Sequence, residues 1–133
     1  MRAKPFRISE RMGSFRHAAI GVVTMLRTQH NARIQAVAAI LVVALSFALR
    51  LAPWEWCAVL LATGLVLAAE GLNTAIEEIA DLVSPERHPA VKAAKDVAAG
   101  AVLIAALMAA AVGALVFLPH LANLAVAFLA RAS

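Results

Sequence analysis

A chain of 133 residues with 63% hydrophobic residues, 15% charged residues and a mean hydropathy of +0.85 is far more apolar than the core of a soluble domain of this length requires. Several spans of about 20 residues each exhaust that length, so the chain reads as one membrane-embedded domain, 1–133, and so small a bundle calls for several copies to cover its polar helix surfaces. The net charge is +4, but seven of the twelve Lys and Arg precede Ile34 and alternate with apolar residues, which argues for an anionic leaflet and against nucleic acid; the single Cys57 excludes an internal disulfide and no Cys/His spacing suits zinc.

The first segment, 1–33, carries Arg2, Lys4, Arg7, Arg11, Arg16, Arg27 and Arg33 against one acid, Glu10, and has no signal-peptide core. Within it Phe15, Ala18, Ala19, Val22, Val23 and Leu26 recur at helical spacing, which predicts an amphipathic helix lying at the interface. A first span is expected over 34–52, with Arg50 placed to snorkel to the far surface. Pro53 and Trp54-Glu55-Trp56 mark a tight turn with tryptophans suited to the headgroup level. The second helix, 54–83, rises roughly 24 Å between Trp54 and Ala69, so Glu70 falls near the opposite face of a hydrocarbon layer about 30 Å thick, and the helix continues beyond it. Ser84, Pro85 and Pro89 interrupt the pattern. A third span, 90–118, uncharged after Asp96, is expected to stop at Pro119, which leaves an apolar tail, 119–133, of open placement. The basic amino-terminal segment and the Arg87, Lys92, Lys95 turn share one side, which the distribution of positive charge makes cytoplasmic.

On a helix Glu70, Asn73, Glu77 and Asp81 fall within about 80° of one another and form one polar stripe, with Glu78 to its side. A seam that only glues helices together needs a single Asn. Three acids in line, with Lys95 and Asp96 able to meet them across the turn, exceed that need. Oxygen ligands without Cys suit Mg²⁺, a lysine suits phosphoryl oxygens, and a carboxylate at the bilayer boundary suits a proton from a lipid hydroxyl. Those are the parts of a phosphotransferase acting on a lipid alcohol, although neither a GxxxxGKS/T loop nor a kinase-type glycine loop is present. The competing reading is a small proton-coupled transporter, which also uses an intramembrane Glu but places it near the midplane and needs no adjacent Lys-Asp pair.

Glu70-Gly-Leu-Asn73-Thr-Ala-Ile-Glu77, followed by Asp81, His88-Pro89 and Ala93-Ala94-Lys95-Asp96-Val-Ala-Ala-Gly100, resembles the signature of the bacterial diacylglycerol kinase family, which includes undecaprenol kinases. The similarity takes in Ser14-Phe15-Arg16 and Arg33-Ile34 as well. It implies an all-α integral membrane homotrimer in the bacterial cytoplasmic membrane, each subunit having three transmembrane helices plus an amino-terminal amphipathic surface helix, with composite active sites between neighbours. It also implies transfer of the ATP γ-phosphoryl group to a membrane lipid alcohol with Mg²⁺. By the same resemblance Glu70 is the general base and Glu77 a metal ligand, and Asn73, Lys95 and Asp96 surround the nucleotide. Glu70, Lys95 and Asp96 are the expected catalytic residues. Glu86, Arg87 and His88 match a turn that contacts ATP, and Arg11 and His17 fall near amino-terminal nucleotide contacts.

One position departs from the pattern. Where the family has Thr-Glu-x-Asn, with a second metal-binding glutamate, this chain reads Thr28-Gln29-His30-Asn31. Gln29 offers a neutral carbonyl oxygen and no charge, so weaker metal binding is expected, and a catalytically retired structural trimer of the family is the alternative outcome. The Asn31-Ala-Arg33-Ile34 and His88 to Gly100 segments look more like the undecaprenol kinase branch. Ala99, a small apolar residue one turn past Lys95, leans the same way.

Overall fold

The computed structural model describes residues 8–84 and 88–132, with side chains over 13–84 and 88–131. Four helices follow one another: α1 (Ile8–Thr28), α2 (His30–Ala48), α3 (Pro53–Val83) and α4 (Pro89–Ala132). No strand occurs among the described residues. The helices α2, α3 and α4 are each long and apolar enough to cross a membrane, the three spans expected from hydropathy. At 1.5 Å per residue, the 19 residues of α2 rise about 28 Å and the 44 of α4 about 66 Å.

The turn between α2 and α3 is built from local chemistry. The Arg50 N–H donates to the Phe47 carbonyl at 3.2 Å and the Leu51 N–H to the Ser46 carbonyl at 3.2 Å, a Schellman stop that satisfies carbonyls the helix would otherwise leave bare. It requires a left-handed residue, and Arg50 takes that role at φ 54, at a cost of about 1 kcal/mol relative to glycine. Pro53 then opens α3 at a position where its missing N–H is not needed. The Glu55 carboxylate reaches back to accept the Ala52 N–H at 2.7 Å.

Behind this turn Leu51, Val59, Val116 and Phe117 form the buried core, with Val42, Leu45 and Trp56 packed against it. The pairing of Glu55 with His120 at one end and of Asp81 with Lys95 at the other makes α3 and α4 antiparallel. Phe47 meets Trp56 edge-on at 4.7 Å between ring centroids, while Trp54 stays exposed, as suits a headgroup anchor.

Two boundaries differ from expectation. The surface helix and the first span part at Gln29, not after Arg33: Gln29 is extended (φ −100, ψ 122), and α2 starts at His30. Neither glycine nor proline marks the break, and the Gln29 N–H still donates to the Met25 carbonyl at 2.9 Å, so α1 completes its last turn first. The second difference lies at Pro119, expected to end the last span, which instead sits inside α4. A proline removes one helix hydrogen bond, and continuing the helix through it keeps the other backbone groups on both sides paired. The tail expected to follow the last span is therefore its direct continuation.

Helix α1 touches the bundle mainly through Met25, which is buried where Gly71 leaves room on α3; its sulfur would stand 3.5 Å from a Cβ at that position. Phe15, Ile20, Val22 and Val23 remain exposed along it.

Candidate active site

The far end of the bundle from the α2–α3 turn holds the polar stripe of α3. Glu70 is the most buried charged group described, 2% exposed, and its Oε2 accepts a hydrogen bond of 3.0 Å from Gln35 Nε2 on α2. Thr74 Oγ1 donates to the Glu70 main-chain carbonyl at 2.9 Å, which occupies the hydroxyl locally and leaves the carboxylate to Gln35. One turn on, Asn73 Nδ2 donates to Glu77 Oε1 at 3.1 Å. Two buried oxygens, Gln35 Oε1 and Asn73 Oδ1, have no hydrogen-bond partner among the described residues. Buried amide oxygens left bare are costly, and such a position is where a cation or a ligand donor adds the missing interaction.

At the mouth of the α3–α4 hairpin Lys95 Nζ donates to Asp81 Oδ1 at 2.8 Å and also lies in the field of Glu77. The lysine therefore closes the stripe from the facing helix. Asp96, expected to join it there, instead pairs with Lys92 one turn earlier on α4, with both side chains largely exposed. His88 Nδ1 accepts the Ala90 N–H at 3.2 Å and so caps the start of α4. His17 stands exposed on α1, and Gln29 sits half-buried at the α1–α2 break. Glu86 and Arg87, and the side chain of Arg11, lie outside the described residues.

A groove of about 310 Å³ runs between α2, α3 and α4, walled by residues such as Val42, Val59, Leu67 and Ala109. Gln35 lines it and at the same time holds Glu70, so the groove ends one hydrogen bond away from the buried carboxylate. Gln35 was not singled out from the sequence, although it left a signal: it is the one polar residue between Arg33 and Ser46 in an otherwise apolar span. A lone amide there is expensive unless it has a partner across the helices.

Residues 16–117 match the family model described as prokaryotic diacylglycerol kinase. The chain belongs to that family. The match covers the whole polar stripe, Gln35, the Lys95 pair and the groove, and it stops two residues short of Pro119. The chain is 43% identical over 108 residues to the undecaprenol kinase of Bacillus subtilis, a stretch covering 81% of this chain and 88% of that one. It is 41% identical over 114 residues to a diacylglycerol kinase of Synechocystis sp., covering 85% of this chain and 65% of that one.

Proposed function

We propose that this member of the prokaryotic diacylglycerol kinase family is a lipid kinase that transfers the γ-phosphoryl group of ATP to the hydroxyl of a membrane lipid alcohol, undecaprenol or diacylglycerol. The observation that carries the reading is the groove that leads to Glu70 through Gln35. It is apolar enough for a prenyl or acyl chain and ends beside a single buried carboxylate. In this reading the chain of the lipid lies in the groove and its hydroxyl approaches Glu70, which accepts the proton as the oxygen attacks the γ-phosphorus. Gln35 is a positioning residue that fixes the rotamer of Glu70. Lys95 contributes positive charge to the phosphoryl oxygens, and Asp96 and Asn73 complete the polar surround of the nucleotide.

The family implies Mg²⁺, and the donor set fits it. The Glu77 carboxylate and the bare Asn73 Oδ1 are hard oxygens one helical turn apart, and a magnesium ion needs only one or two protein carboxylates beside substrate phosphates. No group of three His, Cys, Asp or Glu among the described residues is arranged to hold a metal alone, which agrees with a site shared with ATP. Glu77, Asn73 and the neutral Gln29 are the residues assigned to hold it. When bound, Mg²⁺ neutralises charge on the phosphates.

Three copies assemble around the site in this reading. Support comes from Asp96 and His17, polar groups that no other helix of the same chain covers. The site-bearing end faces the cytoplasm, as the basic residues at that end favour. The test is phosphoryl transfer from labelled ATP in mixed micelles containing undecaprenol or diacylglycerol, with wild type and Glu70→Gln. Wild type is expected to phosphorylate at least one lipid and Glu70→Gln neither. Failure of wild type with both lipids at saturating Mg²⁺, and of Gln29→Glu likewise, overturns the reading.

A further inference from the structure

We propose that a hollow at the α2–α3 turn binds the headgroup of an anionic phospholipid in the leaflet opposite the kinase site. The hollow, about 390 Å³, is lined by Ala48, Leu49, Arg50, His120, Asn123 and Leu124. Its depth in the bilayer follows from one contact: His120 and Glu55 Oε1 lie 3.0 Å apart, which sets the α4 wall level with the first turn of α3, where exposed Trp54 marks the headgroup layer.

The lining is divided chemically. Ala48, Leu49 and Leu124 supply an apolar shoulder, and Arg50 and Asn123 supply the hydrogen-bond donors. The acid at this end, Glu55, is already engaged by the Ala52 N–H and by His120, and no described acid pairs with Arg50. The hollow thus carries one uncompensated positive charge on a planar fork of donors, the geometry that takes a phosphodiester through two parallel bonds. His120, committed to Glu55, is a wall. A half-apolar hollow at headgroup depth fits a lipid whose chains continue into the hydrocarbon better than it fits a free anion.

Arg50 also stands where the backbone favours glycine. A non-glycine residue kept in a left-handed conformation at the rim of a hollow points to a use for its side chain. The α4 wall, His120, Asn123 and Leu124, lies beyond residue 117 and outside the family match, whereas Arg50 and its neighbours lie within it; lipid retention at this hollow is read without phosphoryl transfer and so is independent of the kinase reading.

The test is native mass spectrometry of the full chain in detergent, titrated with phosphatidylglycerol, phosphatidylcholine and inorganic phosphate. Phosphatidylglycerol is expected to be retained over phosphatidylcholine and to resist displacement by inorganic phosphate. Arg50→Gly removes the guanidinium while easing the turn. It is expected to weaken retention about tenfold, the worth of one charged hydrogen bond, without lowering the melting temperature in lipid-free detergent. Asn123→Ala weakens it less, and Arg131→Gln, a cation on the same helix end, leaves it unchanged. Equal retention by wild type and Arg50→Gly overturns the proposal. So does an equal loss in Arg131→Gln, which means diffuse attraction, or displacement by inorganic phosphate, which means a free-anion site.

Discussion

The two ends of the bundle are built on opposite principles. At the α2–α3 turn a single chain completes its own structure: Leu51, Val59, Val116 and Phe117 are buried, the turn carbonyls are capped, and Glu55 has two partners from two elements. At the other end the chain stops short. Gln35 and Asn73 bury oxygens that nothing described satisfies, Asp81 and Lys92 stand exposed, and α1 lies against α3 through little more than Met25. Apolar packing is concentrated away from Glu70, and the proposed chemistry sits where polar groups await a metal, a nucleotide, a lipid or a second copy. The division is physical: a site that must admit a charged nucleotide and a lipid hydroxyl cannot also be closed by core packing.

Substitutions at each end test whether the two are separable. The largest effect is expected from Glu70→Gln, which keeps the shape and the bond from Gln35 but removes the base; turnover falls about 10²- to 10⁴-fold while the melting temperature stays within a few degrees. Next is Leu51→Ala in the turn-end core and away from the groove, which lowers unfolding free energy by about 3 kcal/mol in micelles and leaves the specific activity of the folded fraction intact. A parallel fall in that specific activity would couple the two ends and break the comparison. Gln35→Leu leaves the Glu70 carboxylate without its donor, a loss of about 1–3 kcal/mol, and is expected to raise KM for the lipid but not for ATP. Equal changes in both constants would remove Gln35 from the lipid path. The smallest effect is Gln29→Glu, which is expected to lower the Mg²⁺ concentration for half-maximal activity a few-fold; an unchanged requirement would take Gln29 out of the metal set.

Periodicity makes the three spans and the α3 stripe readable, because apolar runs of this length and acids spaced three and four apart admit few alternatives. Pro53 also announces the start of α3 correctly. The pattern is silent about partners across helices: Gln35 and Glu70 are 35 positions apart, Glu55 and His120 are 65 apart, and only packing brings them together. Lys92 and Asp96 are a different case. Their spacing of four was legible as a local ion pair, and that pairing takes Asp96 away from the stripe. The Gln29 break carries no residue-type signal at all. Pro119 misleads because proline withholds a single helix hydrogen bond, and the other backbone groups on both sides stay paired when α4 continues through it.

Helix α2 has no length to spare. Its 19 residues are fixed on one side by the extended Gln29 and on the other by the Schellman stop, so it cannot lengthen, whereas α3 and α4 extend well past any hydrocarbon layer and can slide or tilt. In a bilayer thicker than about 30 Å the lipids around α2 have to compress, at a fraction of a kcal/mol per Å. The shortest span therefore acts as the gauge of membrane thickness for the whole bundle and biases the protein towards thinner regions of the bilayer.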